Sequence, residues 1–140
     1  MRNAIFWPLV AQVLLVAIVS VRLYASRIGE LKARRINPQA IATSQSAAAT
    51  LKDVAAADNF RNLFEAPVLF FAVCLALAIT DTVTAPQLTL AWIYVGLRVV
   101  HSFIHVTYNR VMHRFAAYAA SLVCVFLMWG LFAYSLWKMG

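Results

Sequence analysis

Four apolar runs, residues 5–24, 60–79, 88–108 and 115–137, occupy most of this 140-residue chain. A bilayer core is crossed by about 20 mostly apolar residues in helical form. Within hydrocarbon the backbone must satisfy its own N–H and C=O groups, and an α-helix does so inside one segment. The four runs therefore predict a single all-α domain over residues 1–140, an integral membrane four-helix bundle. Composition agrees. Hydrophobic residues make up 64% of the chain and charged residues 12%, whereas soluble domains are about a quarter charged.

The one long connection, residues 27–58, is strongly basic. Arg27, Lys32, Arg34, Arg35 and Lys52 lie in it, with Arg22 and Arg61 at the flanking runs, and Arg110 and Arg114 sit between the third and fourth runs. The opposite side holds Arg2, Lys138 and Asp81. Lys and Arg concentrate in cytoplasmic connections. That rule places both basic connections in the cytoplasm and both termini outside it; in a bacterial chain the membrane is the inner one. Anionic lipid headgroups are natural partners of the +7 net charge, and nucleic acid is not an expected partner.

Asn37-Pro38 ends the first helix, because the residue before proline is steered out of the α region. Thr43 or Ser44 fits the N-cap of a new helix, and the alanines that follow favour helix. One long helix is predicted over residues 44–79, its first third projecting beyond the bilayer and Pro67 kinking it. Residues 81–86 form a short turn. The N-terminal run is long for the apolar part of a secretory signal, and "VRLYAS" is a poor cleavage site, so the run is read as a retained first span. Cys74 and Cys124 lie within spans without Cys or His at ligand spacing, and are read as small packing residues.

The polar groups inside the spans carry the functional signal. Read on one continuous helix, Asp58, Arg61, Asn62 and Glu65 fall within an arc of about 100°. Arg98, His101, His105, Tyr108 and Asn109 make a second stripe of about 100°. Arg110, Arg114, Tyr118 and Ser121 run into the fourth span, and Arg22 adds a cation from the first. Ionisable groups at membrane depth are costly and mark sites by default. The bland alternative is an Arg61–Glu65 pair one turn apart, with Arg98 reaching the interface and nothing bound. Two independent stripes, with cations at both other helix ends, favour a site.

Arginines outnumber carboxylates here, so the expected ligand is a small anion. Guanidinium forks suit carboxylates and phosphates, while Glu65 can receive an ammonium group. Carboxylates plus an amine describe an amino-acid-like or peptide ligand. His101 and His105 at i, i+4 suit a metal or haem, but cations crowd them where a metal-binding pair usually has carboxylates.

"VRL" ending the first span, "RNLFEAP" opening the second, "RVVHSFIHVTYNRVMHR" through the third, and Tyr118 beyond together resemble the MAPEG family, membrane-associated proteins in eicosanoid and glutathione metabolism. The resemblance covers nearly the whole chain. It implies a homotrimer of four-helix subunits that holds bent glutathione between neighbours near the cytosolic side. It also implies that Arg22, Arg61, Asn62, Glu65, Arg98 and His101 contact the tripeptide. His105 falls where relatives tend to have tyrosine, Tyr118 falls on a family tyrosine, and Arg114, with Arg110 as second choice, takes the place of the arginine that holds the thiolate. Phe115 stands where the family's prostaglandin-forming enzyme has serine, and Leu63 where it has aspartate, which separates this chain from that activity.

The leading expectation is a glutathione-dependent membrane enzyme. A thiol with a pKa of about 8.5 is a poor nucleophile at neutral pH, and adjacent cations favour its thiolate. That thiolate would attack a lipophilic electrophile, or reduce a lipid hydroperoxide, arriving from the bilayer. Two rivals remain open: a glutathione-binding or scaffold protein without catalysis, and a small proton-coupled exporter with Glu65 as the titrating group. The exporter fits less well, since arginines around Glu65 would repel cationic cargo.

Overall fold

The computed structural model describes residues 2–52 and 55–139, and among these no strand occurs. A 3-10 turn, Arg2–Ile5, leads into α1, Phe6–Ala33, followed by α2, Ser44–Thr50, α3, Ala55–Asn62, α4, Ala66–Ile79, α5, Ala85–Val106, and α6, Val111–Met139. Four stretches are long and apolar enough to cross a membrane: α1 with its flanking residues, α3 with α4, α5, and α6.

The core is the place where these helices bury one another. Phe70, Val73 and Leu77 of α4 meet Tyr94 and Val95 of α5 and Val125 and Met128 of α6, with Ile5 closing one end. The Phe70 and Tyr94 rings stack at 4.2 Å. Cys74 and Cys124 are free thiols in this cluster. Outside it, Leu14, Ile18, Val99, Phe103, Phe126 and Leu127 are exposed. So broad an apolar surface suits lipid and would be an aggregation hazard in water.

At 28 residues, α1 is about 42 Å long and outruns a hydrocarbon core of about 30 Å. It continues well past the predicted end of its span at residue 24. Its end is a Schellman motif: Arg35 adopts φ 52°, Ile36 N–H donates to Leu31 C=O and Arg35 N–H to Lys32 C=O.

The predicted continuous helix over residues 44–79 is absent; three helices replace it. Thr43 is the N-cap, in a reciprocal box with Ser46. The first break follows α2, where Leu51 is extended with ψ 144°. There Glu30 accepts from Lys52 N–H at 2.8 Å, and Arg34 donates to Thr50 C=O at 2.7 Å. These tertiary bonds to the end of α1 take the backbone groups that a continuing helix would have used, and alanine propensity is too weak to compete.

The second break, residues 63–65, is a turn and not a kink inside a helix. Pro67 has no N–H to offer Leu63 C=O, and it disfavours α geometry in the residue before it. Leu63 and Phe64 instead close tighter bonds to Phe60 and Arg61 carbonyls. Arg98 Nη2 takes Asn62 C=O at 2.8 Å, the carbonyl a continuous helix would give to Ala66 N–H. Proline and arginine thus hold one bend from two directions.

Candidate functional site

Because of that bend, the first predicted stripe is divided. Asp58 and Arg61 lie on α3 and pair at 3.7 Å on an exposed face. Arg61 faces Arg27, Tyr24 and Phe60 there. The Arg61–Glu65 pair does not form; Arg61 takes Asp58 instead. Asn62 and Glu65 turn the other way, into a recess of about 260 Å3 that they line with His101, Arg114, Phe115 and Tyr118.

Arg114 is the chemical centre of this recess. From α6 its Nη1 donates to His105 Nε2 at 3.1 Å and to Asn109 Oδ1 at 2.8 Å. Asn109 follows α5 in a left-handed conformation, φ 45°, which asparagine tolerates better than most residues. Both acceptors are neutral: an imidazole nitrogen accepts only when unprotonated. The guanidinium is therefore fixed in place, and among the described residues no carboxylate stands within ion-pair distance of it. Among the described residues its Nη2 and Nε take no hydrogen-bond partner.

His101 is oriented from the same helix. Its Nδ1 donates to Arg114 C=O at 3.1 Å, which fixes the tautomer. The other nitrogen, Nε2, is an acceptor without a partner among the described residues. The His101 ring sits 5.8 Å from both His105 and Tyr118. Tyr118 is anchored by its backbone, whose C=O accepts from Ser121 Oγ at 2.7 Å. Glu65 forms no ion pair among the described residues, and it stands exposed at the recess.

Arg98 is fully enclosed, behind the recess instead of on its wall. Its guanidinium lies 5.6 Å from the Tyr118 ring centroid and bonds Asn62 C=O. Nε and Nη1 have no partner among the described residues. It braces two recess residues at once. His105 likewise stands off the recess wall and bonds Arg114.

The remaining predicted residues stand apart within one chain. Arg22 lies on another side of α5, with Nη2 3.5 Å from Val106 C=O. Arg110 is exposed at the start of α6, as is Tyr108, whose hydroxyl meets His113 Nδ1 at 3.2 Å. The structure thus brings together Asn62, Glu65, His101, Arg114 and Tyr118, with His105 and Arg98 supporting them. Sequence reading placed Asn109 in a stripe without a role; its signal was asparagine in a helix-terminating turn, five residues before Arg114.

With this geometry in view, the class of protein is plain: a helical membrane protein with a recess at one end of its bundle that Arg114 and Glu65 both line. The chain belongs to the MAPEG family, whose model matches residues 5–134. That family includes glutathione transferases and peroxidases, and its members generally use glutathione. No curated protein and no solved structure gives a significant match.

Proposed function

We propose that this protein is a glutathione-dependent membrane enzyme whose bound thiolate attacks a lipophilic electrophile or reduces a lipid hydroperoxide. The observation that carries the reading is Arg114, a positioned guanidinium with neutral acceptors on Nη1 and its other donors spare, in a recess shared with Glu65. Glutathione brings two carboxylates, one ammonium and one thiol. Glu65 takes the ammonium group, and His101 Nε2 accepts a hydrogen bond from the ligand. Arg114 stabilises the sulfur anion. Lowering a thiol pKa by two units requires about 2.7 kcal/mol, within reach of one partly desolvated cation at an effective dielectric of about 20.

A homotrimer completes the site in this proposal. The recess, about 260 Å3, is below the range of about 300–1,000 Å3 that small-ligand sites usually occupy. Arg22 and Arg61 point away from it, so a neighbouring copy is the source that would bring such cations to it. In this arrangement the recess faces the cytoplasm, both termini lie outside, and the electrophile arrives through the bilayer.

The test is calorimetry of detergent-solubilised protein with glutathione, paired with turnover of a halonitroarene and a lipid hydroperoxide. Wild type should bind and turn over, and Glu65→Ala should weaken binding at least tenfold. A wild type that fails to bind removes the proposal. Binding without turnover of either substrate would leave a glutathione-binding protein and no enzyme.

A further inference from the structure

Val111 and Phe115 are the apolar residues of the recess lining. Both belong to α6, one turn apart, and both are exposed. Arg114 and Tyr118, also one turn apart, stand beside them on the same helix. Side chains four residues apart form parallel ridges on a helix surface. α6 therefore presents two ridges to the recess, one apolar and one polar.

The ridges differ in what they meet. The polar one is engaged by α5: Arg114 donates to His105, and the Tyr118 ring has His101 at 5.8 Å and the Arg98 guanidinium at 5.6 Å. The apolar one is open. Among the described residues no ring stacks on Phe115 and no cation lies over it. Phe115 stands about 6 Å further into the span than Val111, on the side from which a lipophile leaves hydrocarbon.

The ionic and amide groups form the opposite wall, Asn62 and Glu65 from the bend and His101 from α5. With the charges of the peptide on that wall and its sulfur anion at Arg114, the group that bonds to sulfur comes in over the ridge beside Arg114. That ridge rewards one shape. The face of a phenyl ring is negative and complements an electron-poor ring, and such stacking adds to area burial. An alkyl chain gains the burial alone.

We infer that the Val111–Phe115 ridge seats the electrophile, and that the open face of Phe115 selects a planar, electron-poor aryl group over an alkyl chain. The inference rests on the glutathione reading and narrows its substrate class. The step it favours is aryl substitution. The thiol proton passes to solvent, the carbon–sulfur bond forms at a ring carbon, and the carbon–halogen bond breaks as halide leaves with the electron pair.

Calorimetry of the full chain in detergent tests it with glutathione, S-hexylglutathione and S-dinitrophenylglutathione, which share their ionic groups and need no turnover. Wild type should bind the dinitrophenyl conjugate about fivefold more tightly than the hexyl one, the equivalent of about 1 kcal/mol of stacking. Phe115→Leu should erase that preference with glutathione affinity within about twofold of wild type, and Phe115→Trp should keep it. Val111→Ser should weaken both conjugates about threefold and leave glutathione unchanged, as expected for one lost apolar contact. Glutathione binding without an aryl preference overturns this inference alone, whereas a wild type that binds none of the three removes the glutathione reading and this inference with it. A preference that survives Phe115→Leu overturns it, as does equal weakening of all three ligands, the mark of an interfacial anchor. A lower assembly mass of Phe115→Leu in light scattering would show a neighbouring copy on the ridge and overturn it too.

Discussion

The side chain of Arg114 donates to Nε2 of His105, nine residues earlier, at 3.1 Å. The same nitrogen donates to Asn109 Oδ1. Holding an arginine with two neutral acceptors fixes its geometry and leaves its charge intact. A carboxylate in either position would have neutralised the cation on which the proposed glutathione site depends.

His105 is therefore expected to tune catalysis more than binding. His105→Leu removes one neutral hydrogen bond, worth about 0.5–1.5 kcal/mol, and should lower kcat about fivefold to tenfold. Glutathione affinity should stay within about twofold of wild type, and His105→Gln, which restores an acceptor, should recover most of the rate. Steady-state kinetics beside calorimetry separates the two quantities. Equal losses in kcat and affinity would place His105 against the ligand and not behind Arg114.

Arg114 and Arg110 are expected to differ sharply. Arg114 lines the recess, whereas Arg110 is exposed and four residues earlier on the helix edge. Removing one preorganised electrostatic donor typically costs about 100-fold to 1,000-fold in kcat, so Arg114→Ala should fall by that order. Arg110→Ala should fall less than threefold. Ultraviolet difference absorbance of bound glutathione reports the thiolate directly, and it should vanish only in Arg114→Ala. A thiolate signal that persists there would move the stabilising cation elsewhere.

Arg98 poses a different balance. A buried cation without a counter-ion contributes little to stability, since desolvation opposes whatever its contacts provide. Arg98→Met should leave the melting temperature within a few degrees of wild type, because lost contacts and relieved desolvation offset each other. Glutathione affinity should nonetheless drop about tenfold, since Asn62 and Tyr118 lose their common brace. A collapse in stability with unchanged affinity in the surviving fold would make Arg98 a packing residue only.

These expectations mark where sequence reading succeeded and where it stopped. The helical class and the four spans were legible because hydrocarbon leaves the backbone few options. His101, Arg114 and Tyr118 were legible as stripe members because α5 and α6 are unbroken through them. The stripe through Asp58 and Glu65 was misread for a local reason: it assumed one helix across residues 63–65. Pro67 signalled a disturbance there, but its depth depends on Arg98 taking Asn62 C=O, a contact 36 positions away. The break at Leu51 has the same character, since Glu30 and Arg34 reach it from α1. No periodicity within residues 44–79 contains either partner.

The bend itself can be tested by restoring the continuous helix. Pro67→Ala returns an N–H whose intrahelical partner would be Leu63 C=O, and it lifts the restriction on residue 66. Joining α3 to α4 would rotate Glu65 by about 100° for each residue absorbed and carry it out of the recess. Arg98 opposes this by occupying Asn62 C=O, so the single variant should change little: a slight gain in helical ellipticity and about threefold weaker glutathione binding. Combined with Arg98→Met, both restraints are gone. The double variant should gain the ellipticity of about one further turn, and it should lose more affinity than the two single losses combined, a coupling of about 0.5–3 kcal/mol as found for residues sharing a partner. Strict additivity would mean that the two residues act on separate features and that the bend persists without either of them.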